Sequence, residues 1–318
     1  MKHLFKTTVF ALVISLMATS CSKDDNEDVN FDEESYNTTF KLTDAPIDDS
    51  KVEAVFVTIT DVKVDGNSLN GFTATTVELS ALVNGQTQTL GNLDLQAGSY
   101  SNIELVLDYD TDVNGNAPGC YVEMANGEKD KLEASANSIN VNKTFEVLAS
   151  TSNDIVIDFD LRKTIKEEEN NLSSDFEFVT MSELQAGIRV VNDEMAGSIS
   201  GTANDAENTS DKIIVYAYEQ GTFNEETETQ GSGASNVTFA NAVTSAEVDG
   251  LGNTYNLSFI AEGMYELVFV SYTEDSNNEL QFNALLEAES TTGLNLGAIS
   301  VSSALQVNAN VTITGTMQ

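Results

Sequence analysis

The chain has 318 residues, with 14 Lys and Arg against 51 Asp and Glu and a formal net charge of −37. Such a charge repels nucleic acid and anionic membrane surfaces. The single histidine is His3 and there is no tryptophan, so Ser-His-Asp or Cys-His catalysis and histidine-bearing zinc sites are excluded for the body of the chain. A pair of carboxylates could still hydrolyse a glycoside, but no spacing selects such a pair, and the chain reads as non-catalytic.

Lys2, His3 and Lys6 precede Thr7 to Ala18, an uncharged and mostly apolar run. A basic start, a short apolar stretch and small residues after it make a secretory signal. The run is shorter than the ~20 residues that span a bilayer. The stretch that follows, "LMATSC", resembles the lipobox of bacterial lipoproteins. The resemblance implies that residues 1–20 are removed and that Cys21 carries lipid and ties the chain to a membrane. The alternative is an ordinary secretory signal followed by an unrelated cysteine. "SKDDNED" after Cys21 is similar to the acidic export signal of surface lipoproteins of the Bacteroidetes, with a generic charged tether as its alternative. These likenesses imply an outer-membrane protein, lipid-anchored and exposed on the cell surface. Residues 21–35 are too polar and charged to offset their ordering entropy, which predicts a disordered tether.

With Cys21 lipidated, Cys120 has no disulfide partner. It is expected as a buried small hydrophobe at a strand start. Its nearest charges, Asp112 and Glu123, are acidic, so nothing lowers its pKa.

From residue 36 onward, short β-rich runs alternate with Asn, Asp and Gly. They predict an all-β chain of two antiparallel β-sandwich domains, Ig-like or Greek-key, over residues 36–192 and 195–318. Around Pro46, "TDAPIDD" groups Asp44, Asp48 and Asp49 in a stiff turn that Asp44 could cap. In "VEAVFVTITDVKV", Val55, Val57 and Ile59 share one phase, whereas Val62 and Val64 share the other. A β-bulge near Thr60 and Asp61 would bring both sets into the core. Asp158 and Asp160 share a strand face, pointing to solvent or pairing with Arg162 or Lys163, and Arg189 could pair likewise. "LRKTIKEEEN" is expected as a short helical crossover, and Asn224 to Asn236 as a mobile Gly/Ser-rich loop. "MYELVFVSYT", apolar on both faces, reads as a central buried strand. Val307, Ala309, Val311 and Ile313 alternate inward along the last strand.

Two constellations are candidate sites. In "DYDTDVNGN", Asp108, Asp110, Asp112, Asn114 and Asn116 alternate and could aim oxygens at one Ca2+. Val113 and Gly119 stand where an EF-hand loop needs Gly and Glu, and a solvated hairpin loop is the alternative. Tyr216 and Tyr218 share a face that could stack on a glycan, with core packing as the commoner use of such residues.

"KLTDAPIDDSKVEAVFVTITDVKV", "LGNLDLQAGSYSNIELVL", "DIVIDFDLRKTI" and "LQAGIRVV" together resemble the bacterial domain of unknown function 4382. The resemblance implies a domain often found on exported proteins, and no activity. After residue 195, "AGSISGTAND", "KIIVYAYEQG" and "NTYNLSFIAEGMYELVFVSYT" resemble a carboxypeptidase-regulatory-like, prealbumin-type sandwich, which implies a spacer or binding accessory. The function expected is a lipid-anchored surface binding or adhesion protein whose partner is a glycan or an envelope protein. The alternatives are a spacer or fimbria-like assembly subunit and, more distantly, a carboxylate-based hydrolase.

Overall fold

The Val52–Val64 strand carries an irregularity that organises the first half. Ile59 faces Leu107 and Asp61 faces Val106, so Thr60 is an extra residue without a cross-strand partner. The bulge lets Val55, Val57, Ile59, Val62 and Val64 all reach the core, as the change of phase in the sequence requires. Thr60 is exposed, and its hydroxyl donates to the Val106 carbonyl at 3.1 Å.

The computed structural model describes residues 34–46, 51–150, 152–169, 174–206, 210–275 and 280–317. Cys21, the signal segment, almost all of the tether, Asp48 and Asp49 lie outside the described residues. Residues 34–318 form one compact unit.

Two sheets face each other in the first half. One has the order Ile188–Asn192, Asn153–Phe159, Ser35–Thr43, Gln88–Gln96. In the other, Val52–Val64 is central and pairs with Ile103–Leu107, Thr75–Glu78 and Tyr121–Met124 along its length. Phe40, Leu42, Ile155, Ile157 and Phe159 from the first sheet meet Val57, Ile59 and Leu105 from the second. Cys120 is fully buried beside them, directly before the Tyr121–Met124 strand, as expected.

In the second half one sheet runs in the order Thr244–Glu247, Lys212–Glu219, Gly263–Glu274, Leu280–Ser290, Val311–Thr316, Ala196–Asp205, Thr254–Ala261. Gly263–Glu274 is paired on both sides and buried on both faces. Tyr265, Leu267 and Phe269 join Leu257, Ile299 and Val311 in one core. Val268, Val270 and Tyr272 join Tyr216, Tyr218 and Phe239 in another. Among the described strands, none of the first half pairs with one of the second; the sheets change over at residues 193–195.

The all-β sandwich class holds, with parallel as well as antiparallel pairing. Ser35–Thr43 runs parallel to Asn153–Phe159, and Ala196–Asp205 runs parallel to Gln306–Asn308 and Val311–Thr316. The opening strand of each half is thus inserted beside a strand from that half's end. The last inward set, Ala309, Val311 and Ile313, is buried as expected, but the run is split at Ala309 and Asn310. There the Ala309 carbonyl accepts the Tyr255 hydroxyl, and the Asn310 side chain accepts the Thr202 N–H.

Two local expectations are corrected. "LRKTIKEEEN" is helical only over α1, Leu161–Thr164; Ile165–Glu169 is a strand of a hairpin with Ser174–Phe178. β-branched Ile165 alternating with Phe176 and Phe178 on the partner strand gives that hairpin an apolar face. A second helix, α2 (Met181–Gly187), follows it. Asn224 to Asn236 is not a free loop: it contains α3, Glu225–Glu228, and an antiparallel bridge between Ser232 and Val237. Glu228 explains the order. It is buried, accepts the Tyr218 hydroxyl at 2.8 Å, and accepts the Asn241 N–H and side-chain amide.

Candidate functional site

The site lies where the two halves meet. Along Asn153–Phe159, alternation sends Ile155, Ile157 and Phe159 into the first-half core and Asp158 to the opposite face. The antiparallel register sets Arg189 directly across from Asp158. Arg189 binds one Asp158 oxygen through Nε at 3.0 Å and Nη2 at 2.5 Å. At the end of the same strand Asp160 precedes α1, which carries Arg162 and Lys163. Asp160 pairs with Arg162 at 3.0 Å and with Lys163 at 3.4 Å. Both side chains of the Asp160–Arg162 pair are 4% exposed. Of the two expectations for Asp158 and Asp160, solvent exposure or pairing with the nearby cations, the pairing is the one found, and both are interior groups because the second half covers this face.

All three cations reach across the seam. Arg162 donates to the carbonyls of Phe239 at 2.7 Å and Thr238 at 3.2 Å, and lies over the Tyr216 ring at 5.0 Å. Lys163 donates to the Ala242 carbonyl, and Arg189 to the Phe259 carbonyl. Phe239 and Phe259 both have left-handed backbones, at φ 50° and 53°. That conformation costs a bulky residue about 1–3 kcal/mol, offset here by a charge-assisted bond to each carbonyl. Arg162 and Arg189 are the only arginines in the chain.

Burial sets the electrostatics. It pushes the Lys163 ammonium down, against the pull of Asp160. It pushes Asp158 up, with Arg189 working against it. Asp44 is raised furthest, first by burial and then by the charge of Asp158, while the Leu161 N–H works to lower it. Asp44 does not serve only its own turn: its Oδ1 accepts that N–H at 3.1 Å, from the start of α1 at the same end of the neighbouring parallel strand.

A second crossing lies at α2. Glu183 closes a capping box by accepting from the Thr180 N–H and hydroxyl, and it accepts the Ser235 N–H and hydroxyl from the second half. Burial raises its pKa, but the bonds from Ser235 and Thr180 outweigh that and hold it down at about 2. Gly233 (φ +75°) is required at this contact, since a Cβ there would stand 2.2 Å from Glu183 Oε1. Beside the seam runs an open groove of about 480 Å3, lined by Asn84, Asp193, Glu194, Asn256, Ser258 and Gln306 among others.

The sites expected from sequence lie elsewhere. Asp108 accepts from the Asp110 and Thr111 N–H groups, and Asp112 from those of Asn114 and Asn116. The Thr111 and Asp110 N–H groups hold Asp108 below the usual carboxylate range, and the Asn116 side-chain amide, followed by its N–H, does the same for Asp112. Asp110 pairs with Lys131 at 2.8 Å. Each carboxylate is engaged in its own turn or pair, and no cluster of three or more His, Cys, Asp or Glu able to hold a metal is found among the described residues. Tyr216 and Tyr218 are fully buried, which removes them as a glycan platform: α3 and the segment after it cover their face, and Phe239 stacks on Tyr216 at 4.4 Å. Cys120 is a free, buried thiol pushed up to about 12 by desolvation.

Sequence reasoning missed α2 and the seam. The spacing Thr180-x-x-Glu183 is a capping-box signature and could have located the helix. The seam left one trace, both arginines falling beside the acidic strand pair and its neighbour.

Residues 37–174 match DUF4382, a domain of unknown function. The DUF4382 match includes Asp44, Asp158, Asp160, Arg162 and Lys163, and stops short of Glu183 and Arg189. None of the curated proteins matches the chain. Among solved structures it is similar to BcpA, the major pilin subunit of Bacillus cereus, at 12% identity over 89% of this chain and 71% of that one, with a TM-score of 0.22. It is also similar to GBS52, the minor pilin of Streptococcus agalactiae, at 10% identity, 89% and 98% coverage and a TM-score of 0.20. A putative adhesin from Bacteroides ovatus gives 12% identity, 95% and 99% coverage and a TM-score of 0.17. At these TM-scores the likenesses carry no argument about architecture or role. Among the described residues no helix is long and apolar enough to cross a membrane.

Proposed function

We propose that the chain is a non-catalytic surface protein of the adhesion and assembly class. It is held to the outer membrane by lipid on Cys21, and it presents a DUF4382-like module (36–192) and a carboxypeptidase-regulatory-like module (195–318) as one rigid unit. The observation that carries this reading is the seam. A chain with few cations commits both arginines and Lys163 to joining its halves, where a catalytic or anion-binding site would need them free. A joint of buried, charge-assisted bonds suits a protein that transmits pull between an anchor and a partner. The partner proposed is a glycan or an envelope protein, and the polar groove beside the seam is the surface that favours a glycan.

The anchor is tested by growing cells with Cys21→Ser and fractionating them: the wild-type chain should stay with the outer membrane and the variant should be released. Added proteinase K should degrade the chain on intact cells; survival on intact cells with cleavage after lysis would refute surface display. A glycan array probed with lipid-free protein tests the partner. Silence across polysaccharides, with the chain recovered in a fimbria-like assembly, would favour the assembly role. Calcium at Asp108–Asn116 stands as a separate proposal, tested by calorimetric titration of the wild-type chain against Asp112→Asn at millimolar Ca2+; equal heats in the two would end it.

A further inference from the structure

Under the seam is a smaller cavity of about 10 Å3, room for one water-sized particle. Asp44, Asp158, Ser245 and Asn256 line it. Asp44 Oδ2, Asp158 Oδ1, Ser245 Oγ and Asn256 Oδ1 are buried, and none has a hydrogen-bond partner among the described residues. Asp44, Asp158 and Ser245 are 6%, 3% and 4% exposed. Such orphaned oxygens are costly unless something fills the space between them.

The chemistry of the four atoms is one-sided. The Asn256 amide nitrogen donates to the Asn84 carbonyl at 3.2 Å and to Ser258 Oγ at 2.9 Å, which fixes the flip and leaves Oδ1 as the free atom. Three of the four are therefore pure acceptors when the acids are ionised, and the fourth is a hydroxyl. A water could donate to only two of them. The three cations nearby are spent: Arg189 holds the other Asp158 oxygen, and Arg162 and Lys163 hold Asp160. The charges that act most on Asp44 are those of Asp158 and Asp160, and no ion pair is found for it among the described residues.

We propose that this cavity binds a single hard, oxygen-seeking divalent cation of the calcium class, held by Asp44 and Asp158 from the first half and by Ser245 and Asn256 from the second. Two carboxylates, an amide oxygen and a hydroxyl are the ligand types such a cation takes. The cavity shares Asn84, Asn256, Ser258 and Phe259 with the open groove, which supplies the access route. Because its ligands come from both halves, the cation would fasten the seam.

The test is thermal unfolding of the lipid-free chain, stripped with chelator, against CaCl2, with NaCl and choline chloride as controls. Calcium should raise the melting temperature saturably, by about 5 °C at a hundredfold excess over its Kd. The shift should vanish in Asp44→Asn and persist in Asp112→Asn. Ser245→Ala, which leaves the cation-free fold intact, should weaken calcium binding by about tenfold and keeps the test decisive if Asp44→Asn fails to fold. No calcium shift, a shift matched by sodium or choline, a shift lost in Asp112→Asn, or unchanged affinity in Ser245→Ala would each overturn the assignment.

Discussion

Replacing Arg162 with alanine tests whether the seam joins the halves. The side chain ties Asp160, the Phe239 and Thr238 carbonyls and the Tyr216 ring into one cluster. An exposed ion pair would contribute about 0–1 kcal/mol. Here both partners are 4% exposed, and removing one leaves a buried carboxylate, at a cost of about 3–5 kcal/mol. Lys163 remains 3.4 Å from Asp160 and takes up part of that charge, so the lower end, about 3 kcal/mol, is expected. For a chain of this size that is a fall of roughly 5 °C in melting temperature. The assay is urea unfolding followed by circular dichroism, since the chain has no tryptophan. Lys41→Ala, which breaks a partly exposed pair with Asp154, is the control and should cost under about 1 kcal/mol. Adding Asp160→Asn to Arg162→Ala should recover part of the loss. A cost for Arg162→Ala no larger than that of Lys41→Ala would refute the reasoning.

Glu183 predicts an acid-dependent stability. Its folded pKa lies at about 2, below its ordinary 4.5, so its contribution is full above pH ~4.5 and is lost as pH falls toward 2. Discounted for its partial exposure, it is worth on the order of 1 kcal/mol. The gap in melting temperature between wild type and Glu183→Gln should therefore close between those values, and a gap constant with pH would contradict it. Asp44 and Asp158 are shifted the other way and should oppose the trend, adding stability as pH falls through their raised values. Cys120, buried with a pKa of about 12, should resist a thiol reagent at pH 8 in the native chain and react fully in denaturant; rapid native labelling would disprove its burial. Deleting Thr60 restores regular alternation between Ile59 and Val64 and should cost less than about 2 kcal/mol, whereas deleting Thr58 puts one apolar set out of phase and should prevent folding. Soluble expression and circular dichroism of the two deletions decide it.

What could be read from the sequence was what local periodicity controls. Val55 to Val64 gave the bulge because five apolar residues in two phases admit one remedy. Tyr265 to Tyr272 gave a two-faced strand because both phases are apolar. The errors share a different cause. Asp158 has the alternation of a surface residue and is buried only because residues over eighty positions later cover it. The composition of Asn224 to Asn236 is that of a loop, and Glu228 orders it through Tyr218, which no local pattern links to it. The DUF4382 motifs located the strands on which the candidate site is built, while the surfaces that complete it, from Ser235 to Phe259, lie in the other half. Contacts between halves are set by tertiary packing and leave little mark on either partner alone.

The placement of the basic residues has a consequence for digestion. Trypsin-like proteases cut after Lys and Arg, and they need an extended, unpaired segment of backbone. Both arginines and Lys163 are at the seam, in α1 or in the Ile188–Asn192 strand. Lys41, Lys63, Lys129, Lys131, Lys166 and Lys212 all sit within hydrogen-bonded strands. Among the described residues only Lys51 and Lys143 fall outside a strand or helix. Among the described residues the fold thus leaves such enzymes few lysine or arginine bonds outside hydrogen-bonded elements, which predicts slow digestion of this part of the chain until it unfolds.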